Sequence, residues 1–230
     1  MLQSVTEFIL DVLFPKKCVG CGREGAFTCE NCRPALAATA PTCFVCEKRS
    51  PDGSICEPCK PETRLRRFMA PLRYHDHFTR ELIHTFKFGG AKEISKILAK
   101  EITDSLGFYA IPTPPRSLLI PIPLHPKRLR ERGFNQAELL ARELEMRLHI
   151  PINTTTLLRT TYRDHQTKMP NREQRIKNAK GIYRVADKIP PGTTAILVDD
   201  VSTTGATIEE AARVLKAAGA KQVWAFVAAR

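Results

Sequence analysis

The sequence predicts an α/β protein, a largely parallel sheet with helices on both faces, preceded by a small cysteine-rich module. Three observations lead there. All eight cysteines fall between residues 18 and 59, as four C-x-x-C pairs. From about Leu65 onward cysteine vanishes and apolar, strand-like runs alternate with helical patterns, the order that a sheet with helical crossovers imposes. Toward the end of the chain one apolar run stops at Asp199 and Asp200 and passes through small, hydroxylated residues into a further helix.

The first element is expected over residues 5–14, where Val5, Phe8, Ile9, Val12 and Leu13 fall on one helical face. Glu7 and Asp11 interrupt this stretch, and neither a basic flank nor a small-residue cleavage site accompanies it, so it does not read as an export signal. It is also far shorter than the roughly 20 apolar residues that cross a bilayer. A short amphipathic helix docked on its own protein is expected, with no integral membrane segment and a cytoplasmic location.

The cysteine pairs are Cys18/Cys21, Cys29/Cys32, Cys43/Cys46 and Cys56/Cys59. A C-x-x-C turn aims two thiolates at one centre, and two such turns complete a four-sulfur shell around zinc. Gly20, Gly22 and Gly53 suit the tight turns involved. Disulfides are disfavoured in a cytosolic chain. Residues 15–60 hold too few large apolar side chains for a core of their own, so metal is expected to supply their folding energy and the zinc to be structural. Sequential pairing puts Cys18, Cys21, Cys29 and Cys32 on one ion and Cys43, Cys46, Cys56 and Cys59 on a second. It is preferred because each half closes as a short hairpin, while interleaved pairing uses the same eight ligands. Chelation is expected to unfold only this module. The change in composition near residues 58–63 divides the chain into units 1–62 and 63–230.

In the second unit, strands are expected at 69–74, 117–121, 154–158, 194–198 and 222–228, with helices at 79–87, 91–106, 135–149 and 207–218. Ligands of such sheets sit beyond the carboxyl ends of the strands. Asp199 and Asp200 occupy that position. Ser202, Thr203, Thr204, Gly205, Ala206 and Thr207 follow as a loop whose small side chains let backbone N–H groups reach a phosphate at a helix N-terminus. The lysine of a nucleotide-triphosphate loop and the glycine spacing of a dinucleotide loop are both missing.

Upstream, residues 119–136 read as strand, loop and helix start. Lys127, Arg128, Arg130 and Arg132 stand there against the single Glu131, a density of positive charge suited to a diphosphate. A third basic stretch, residues 159–177, carries Arg159, Gln166 and Arg172, is poor in apolar residues, and reads as an excursion able to close over a ligand.

Residues 195–210 resemble the phosphoribosyl-diphosphate signature of type I phosphoribosyltransferases. The resemblance implies that fold for the second unit, with Asp199 and Asp200 on the ribose hydroxyls and residues 202–207 around the 5-phosphate. It also implies Mg²⁺ bound with the diphosphate. The stretch at 159–177 is similar to the flexible catalytic loop of these enzymes, amidophosphoribosyltransferases especially. Together, the cysteine pairs, Phe-Lys-Phe-Gly-Gly at 86–90, Arg-Gly-Phe-Asn-Gln at 132–136 and the pattern at Gln166 and 172–178 resemble the ComF family. That family joins a zinc ribbon to a phosphoribosyltransferase domain and is associated with DNA uptake in natural competence. Lys87 lies in a lysine-aromatic-glycine motif of the family, and the sequence assigns it no chemical role.

Two functions follow from different classes. In the first, an enzyme transfers the phosphoribosyl group, with Asp199, Asp200, Arg128 and Arg132 at the reacting centre; no general base or base-selecting hood stands out, and the acceptor is left open. In the second, the same pocket senses a ligand while basic segments hold single-stranded DNA, with Phe44, Phe86, Phe88 and Phe134 as stacking candidates, or the ribbon docks another competence protein. The net charge of +12 favours polyanionic partners in both cases.

Overall fold

The computed structural model describes residues 15–36, 38–161 and 180–230. The helix expected over residues 5–14 and the loop residues Gln166 and Arg172 lie outside the described residues.

In chain order the elements are β1 (Arg67–Met69), α1 (His77–Phe88), α2 (Ile94–Phe108), β2 (Ser117–Pro121), α3 (Pro126–Arg132), α4 (Gln136–Leu148), β3 (Leu157–Arg159), β4 (Tyr183–Val185), β5 (Thr194–Val201), α5 (Ala206–Ala217) and β6 (Gln222–Ala229). The main sheet has the order β1-β6-β5-β2, and every pairing in it is parallel. β5 and β6 are central and almost wholly buried, as apolar runs of this kind must be when both faces of a sheet are covered.

Side chains alternate across the sheet. Ile196 and Val198 join a core with Leu82, Phe86, Leu98, Ile102 and Leu140 from α1, α2 and α4. Ala195 and Leu197 join the opposite core with Ile208, Ala211 and Leu215 of α5 and Tyr183 of β4. The α/β class with helices on both faces is therefore observed.

Three local expectations are corrected. The strand expected at 69–74 ends at Met69, because Pro71 has no N–H for the ladder; pairing resumes where Leu72 N–H donates to the Ala228 carbonyl at 3.1 Å. The strand expected at 154–158 is instead β3, paired antiparallel with β4 outside the main sheet. The basic segment expected as a loop is the helix α3. His125 Nδ1 accepts from Lys127 N–H at 3.2 Å, Pro126 opens the first turn, and Gly133 ends the helix at φ 76°.

The cysteine-rich segment covers the outer edge of β1. Phe68 N–H donates to the Gly53 carbonyl at 2.9 Å and Ile55 N–H to the Arg66 carbonyl at 3.2 Å, so the edge strand offers no open ladder. Gly53 has φ 70°, and a Cβ there would lie 2.5 Å from the Phe68 carbonyl oxygen; no other residue fits this crossing. The two halves of the segment then part. Leu36 packs with the α1 and α2 core, whereas Cys43, Phe44, Ile55 and Cys59 pack with the α5 core.

Candidate functional site

The sulfurs of Cys18, Cys21, Cys29 and Cys32 all lie within 4.8 Å of one another, as do those of Cys43, Cys46, Cys56 and Cys59. This is the sequential pairing. Zn–S bonds of about 2.3 Å in a tetrahedron require S···S edges of about 3.8 Å, and Cys21–Cys29 and Cys46–Cys56 stand at 3.6 and 3.7 Å. The donor sets fit structural zinc. Burial opposes ionisation of Cys18 and Cys43, but backbone N–H groups outweigh it and bring both thiols down to about 6. The crowded fourth members, Cys32 and Cys59, are pushed up to about 12, chiefly by hydrogen bonding from Cys29 and Cys56 respectively.

The second site lies at the carboxyl end of β5. The strand runs on through Asp199 and Asp200 to Val201, because β6 pairs that far, with Asp199 opposite Val227 and Val201 opposite Ala229. It does not stop at Val198. Successive side chains of a strand point to opposite faces, so the two carboxylates straddle the sheet end. Asp200 turns to the α1 side, where Lys87 Nζ stands 3.1 Å from its Oδ1, while its Oδ2 is buried with no partner. Asp199 accepts the Asp200 N–H at 2.9 Å. Hemmed in by protein and set beside the Asp200 charge, its carboxyl is pushed up to about 8.

Ser202, Thr203, Thr204 and Gly205 form the turn, and α5 begins at Ala206. Ala206 and Thr207 are thus the first turn of the helix rather than loop. Gly205 takes φ 77° as the N-cap of α5, a conformation open to glycine at little cost. The Ser202 hydroxyl is buried without a partner.

Helix α3 divides the predicted cations. Arg128 and Arg132, one turn apart, are half-buried, whereas Lys127 and Arg130 are exposed. Burial lowers the Arg132 guanidinium from its ordinary value, with Asp200 and then Asp199 among the charges acting on it, so Arg132 lies within electrostatic reach of the acidic pair. Gln136, almost fully buried, ties this corner together: its Oε1 accepts from Arg132 Nη1 at 3.1 Å and its Nε2 donates to the Lys87 carbonyl at 3.5 Å. Arg159, expected at the start of a loop, is instead the last residue of β3, paired opposite Tyr183; it lies 6.0 Å from the Tyr183 ring centroid and acts electrostatically on Asp199.

Sequence reasoning leaves Lys87 without a role, and only its place in the lysine-aromatic-glycine motif marks it. Among the stacking candidates, Phe44 and Phe86 are corrected, since both are buried in the cores. Phe134 is half-buried against Phe86. Phe88 is 62% exposed, with the Arg132 guanidinium 5.1 Å from its ring centroid.

Residues 129–230 match the family model of the phosphoribosyl transferase domain, and residues 9–64 that of the double zinc ribbon domain. The chain is 31% identical over 194 residues to Competence protein ComFC of Bacillus subtilis, covering 81% of this chain and 77% of that protein. It is 30% identical over 222 residues to Competence protein F of Haemophilus influenzae, covering 92% and 90%. Similarity to DNA utilization protein YhgH of Escherichia coli K12 is 34% over 151 residues, covering 62% of this chain and 64% of that protein. Among the described residues no helix is long and apolar enough to cross a membrane.

Proposed function

We propose, from the premise that this chain belongs to the ComF family of competence-associated proteins joining a double zinc ribbon to a phosphoribosyltransferase domain, that the end of β5 binds phosphoribosyl diphosphate with Mg²⁺. One observation carries the reading. Two buried, unpartnered oxygens, Asp200 Oδ2 and Ser202 Oγ, belong to the strand end and turn that lead into the N-terminus of α5, which is an unfinished hydrogen-bonding site unless a ligand completes it.

Asp199 and Asp200 accept from the ribose hydroxyls. Residues 202–207 surround the 5-phosphate with backbone N–H groups, hydroxyls and the helix dipole. Arg128 and Arg132 meet the diphosphate, with Lys127 and Arg130 at the outer rim, and Arg159, at the end of β3, adds its charge on the Asp199 side. Mg²⁺ neutralises the diphosphate when bound. If the pocket turns over, the bond from C1 of the ribose to the diphosphate oxygen breaks with its electron pair leaving on pyrophosphate, and an acceptor lone pair forms the new bond to C1. The groups present serve ligand positioning and leaving-group charge, so the reading is of a binding site first.

Calorimetric titration with phosphoribosyl diphosphate and Mg²⁺ tests this. Binding that is lost in Asp200→Asn is expected, and no heat from the unaltered protein would overturn the assignment. A finer outcome follows from Asp199. With its carboxyl raised to about 8, the free protein holds this proton at pH 7, whereas hydroxyls donating from a ribose favour the carboxylate. Binding should release up to about one proton at pH 7 and progressively less as pH rises past 8. The apparent enthalpy should then vary with the ionisation enthalpy of the buffer, and Asp199→Asn should remove that variation. Buffer-independent heats in the unaltered protein would contradict the role given to Asp199.

A second reading, single-stranded DNA held along α3 in the setting of DNA uptake, is favoured by the exposed ring of Phe88 beside Arg132 and the exposed Lys127 and Arg130. Base stacking is worth about 1–3 kcal/mol, and each phosphate contact adds about −0.7 to the log-log salt slope. Phe88→Ala should weaken an oligothymidylate about tenfold with the slope unchanged, while Arg130→Ala should lessen the slope. Fluorescence anisotropy at several salt concentrations reads both, and equal loss from the two variants with no change of slope would count against this surface.

A further inference from the structure

We infer that the second zinc knuckle positions the phosphate loop, so that zinc held by Cys43, Cys46, Cys56 and Cys59 and a ligand phosphate held at residues 202–207 strengthen one another. The inference rests on the pocket assignment above and adds to it a linkage between the two halves of the chain.

Phe44 is the contact. It follows directly on Cys43, inside the C-x-x-C turn, and its ring sits on Gly205. A Cβ built on Gly205 would lie 2.3 Å from Phe44 Cζ and 2.6 Å from Cε2, so backbone and ring meet with no room for a side chain. The knuckle that carries the ring is closed by Glu47 N–H donating to the Cys43 carbonyl and Cys43 N–H donating to the Lys48 carbonyl, both at 2.9 Å.

The ring is also held from behind. The Phe68 ring centroid lies 5.0 Å away. The Arg230 guanidinium is 5.3 Å from both ring centroids and donates to Glu47 Oε1 at 2.8 Å. Arg230 directly follows β6, and β6 in turn holds the start of the loop, where Ser202 N–H donates to the Ala229 carbonyl at 3.0 Å. On the far side, Glu209 in the first turn of α5 accepts from the Thr63 hydroxyl and from Arg64 N–H, just beyond the last cysteine pair. The end of the loop is therefore packed on the second knuckle, and its start is tied to β6, whose following residue Arg230 holds Phe44 and Glu47.

Among the described residues, the contacts of the first cluster lie elsewhere. Gly20 packs on Phe78, Lys16 pairs with Glu93 at 2.9 Å, and Arg33 approaches Glu101 at 3.9 Å. All of these lie on the α1 and α2 side of the sheet. The linkage must accordingly be asymmetric, involving one metal of two.

The physical basis is that zinc supplies the folding energy of a knuckle too small to fold alone. Without it Phe44 loses its seat and Gly205 its wall. Whatever free energy zinc lends to ligand binding, the ligand returns to zinc retention in equal measure. Phe44 is thus a positioning residue, acting on the ligand only through Gly205.

The test uses the full-length zinc-loaded protein. Zinc affinity is measured by equilibrium competition with a chromophoric chelator, with and without saturating ligand, in excess Mg²⁺, while calorimetry on the same preparation records binding. The probes are phosphoribosyl diphosphate and ribose 5-phosphate, the second of which engages the loop without a metal-chelating diphosphate. One of the two bound zinc ions is expected to be held about tenfold more tightly with either probe and the other to be unchanged. Phe44→Leu should weaken both probes and abolish the tightening. Normal binding with unchanged zinc affinities, or with both tightened equally, would overturn the linkage and leave the pocket assignment standing. A missing isotherm would overturn both. Because the protection is read on the unaltered chain, the result stands whether or not the variant folds.

Discussion

Lys87→Ala is expected to cost about 3 kcal/mol of stability and to abolish ligand binding, although the sequence assigns Lys87 no chemical role. Removing one partner of a buried ion pair leaves the other charge uncompensated, at a cost of about 3–5 kcal/mol; the lower end applies because Lys87 keeps some exposure to solvent at 20%. The sign of a second variant separates stability from function. Lys87→Met combined with Asp200→Asn removes both charges, and such replacements are often neutral or stabilising. The double variant should recover most of the lost stability in urea denaturation while still failing to bind phosphoribosyl diphosphate. If Lys87→Ala unfolds at the same urea concentration as the unaltered chain, the contact with Asp200 is not a buried pair in solution. If the double variant binds normally, the acidic pair is not the ribose site.

Zinc removal is expected to reach well beyond the cysteine-rich segment. Sequence reasoning confines its effect to that segment. The structure extends it, because Phe44, Ile55, Cys43 and Cys59 belong to the same core as α5, and Gly53 and Ile55 hold the edge of β1. Freeing Phe44, Ile55 and Phe68 to solvent forfeits about 1.5–3 kcal/mol each. At about 2–4 °C of Tm per kcal/mol in a chain of this size, a fall of about 10 °C or more should follow. Scanning calorimetry with and without chelator should show the main transition itself moving down. A main transition at unchanged temperature, with only a small separate event lost, would contradict the shared core.

Parts of this molecule are legible locally. The strand at 117–121 coincides with β2, and β5 and β6 begin where their apolar runs begin, because a strand buried on both faces declares itself by an unbroken apolar stretch. The C-x-x-C turns declare their ligand sets in the same way. Helix α3 carries its own signals in Pro126 and Gly133, but the density of charge between them masks the helix as a basic loop. The continuation of β5 through two aspartates is not legible, since an acidic pair is a poor strand former and only pairing with β6 carries the ladder on.

What the sequence by itself determined is the class of sheet, the eight sulfur ligands, and the acidic pair and hydroxyl turn as neighbours in the chain. These depend on periodicity and short spacing, which are properties of a segment alone. What only the tertiary structure decided is that Asp199 and Asp200 face opposite sides of the sheet, that Lys87 meets Asp200, and that Phe44 rests on Gly205. Each is set by which distant segments pack together, and burial, pairing and close approach exist only once they have done so.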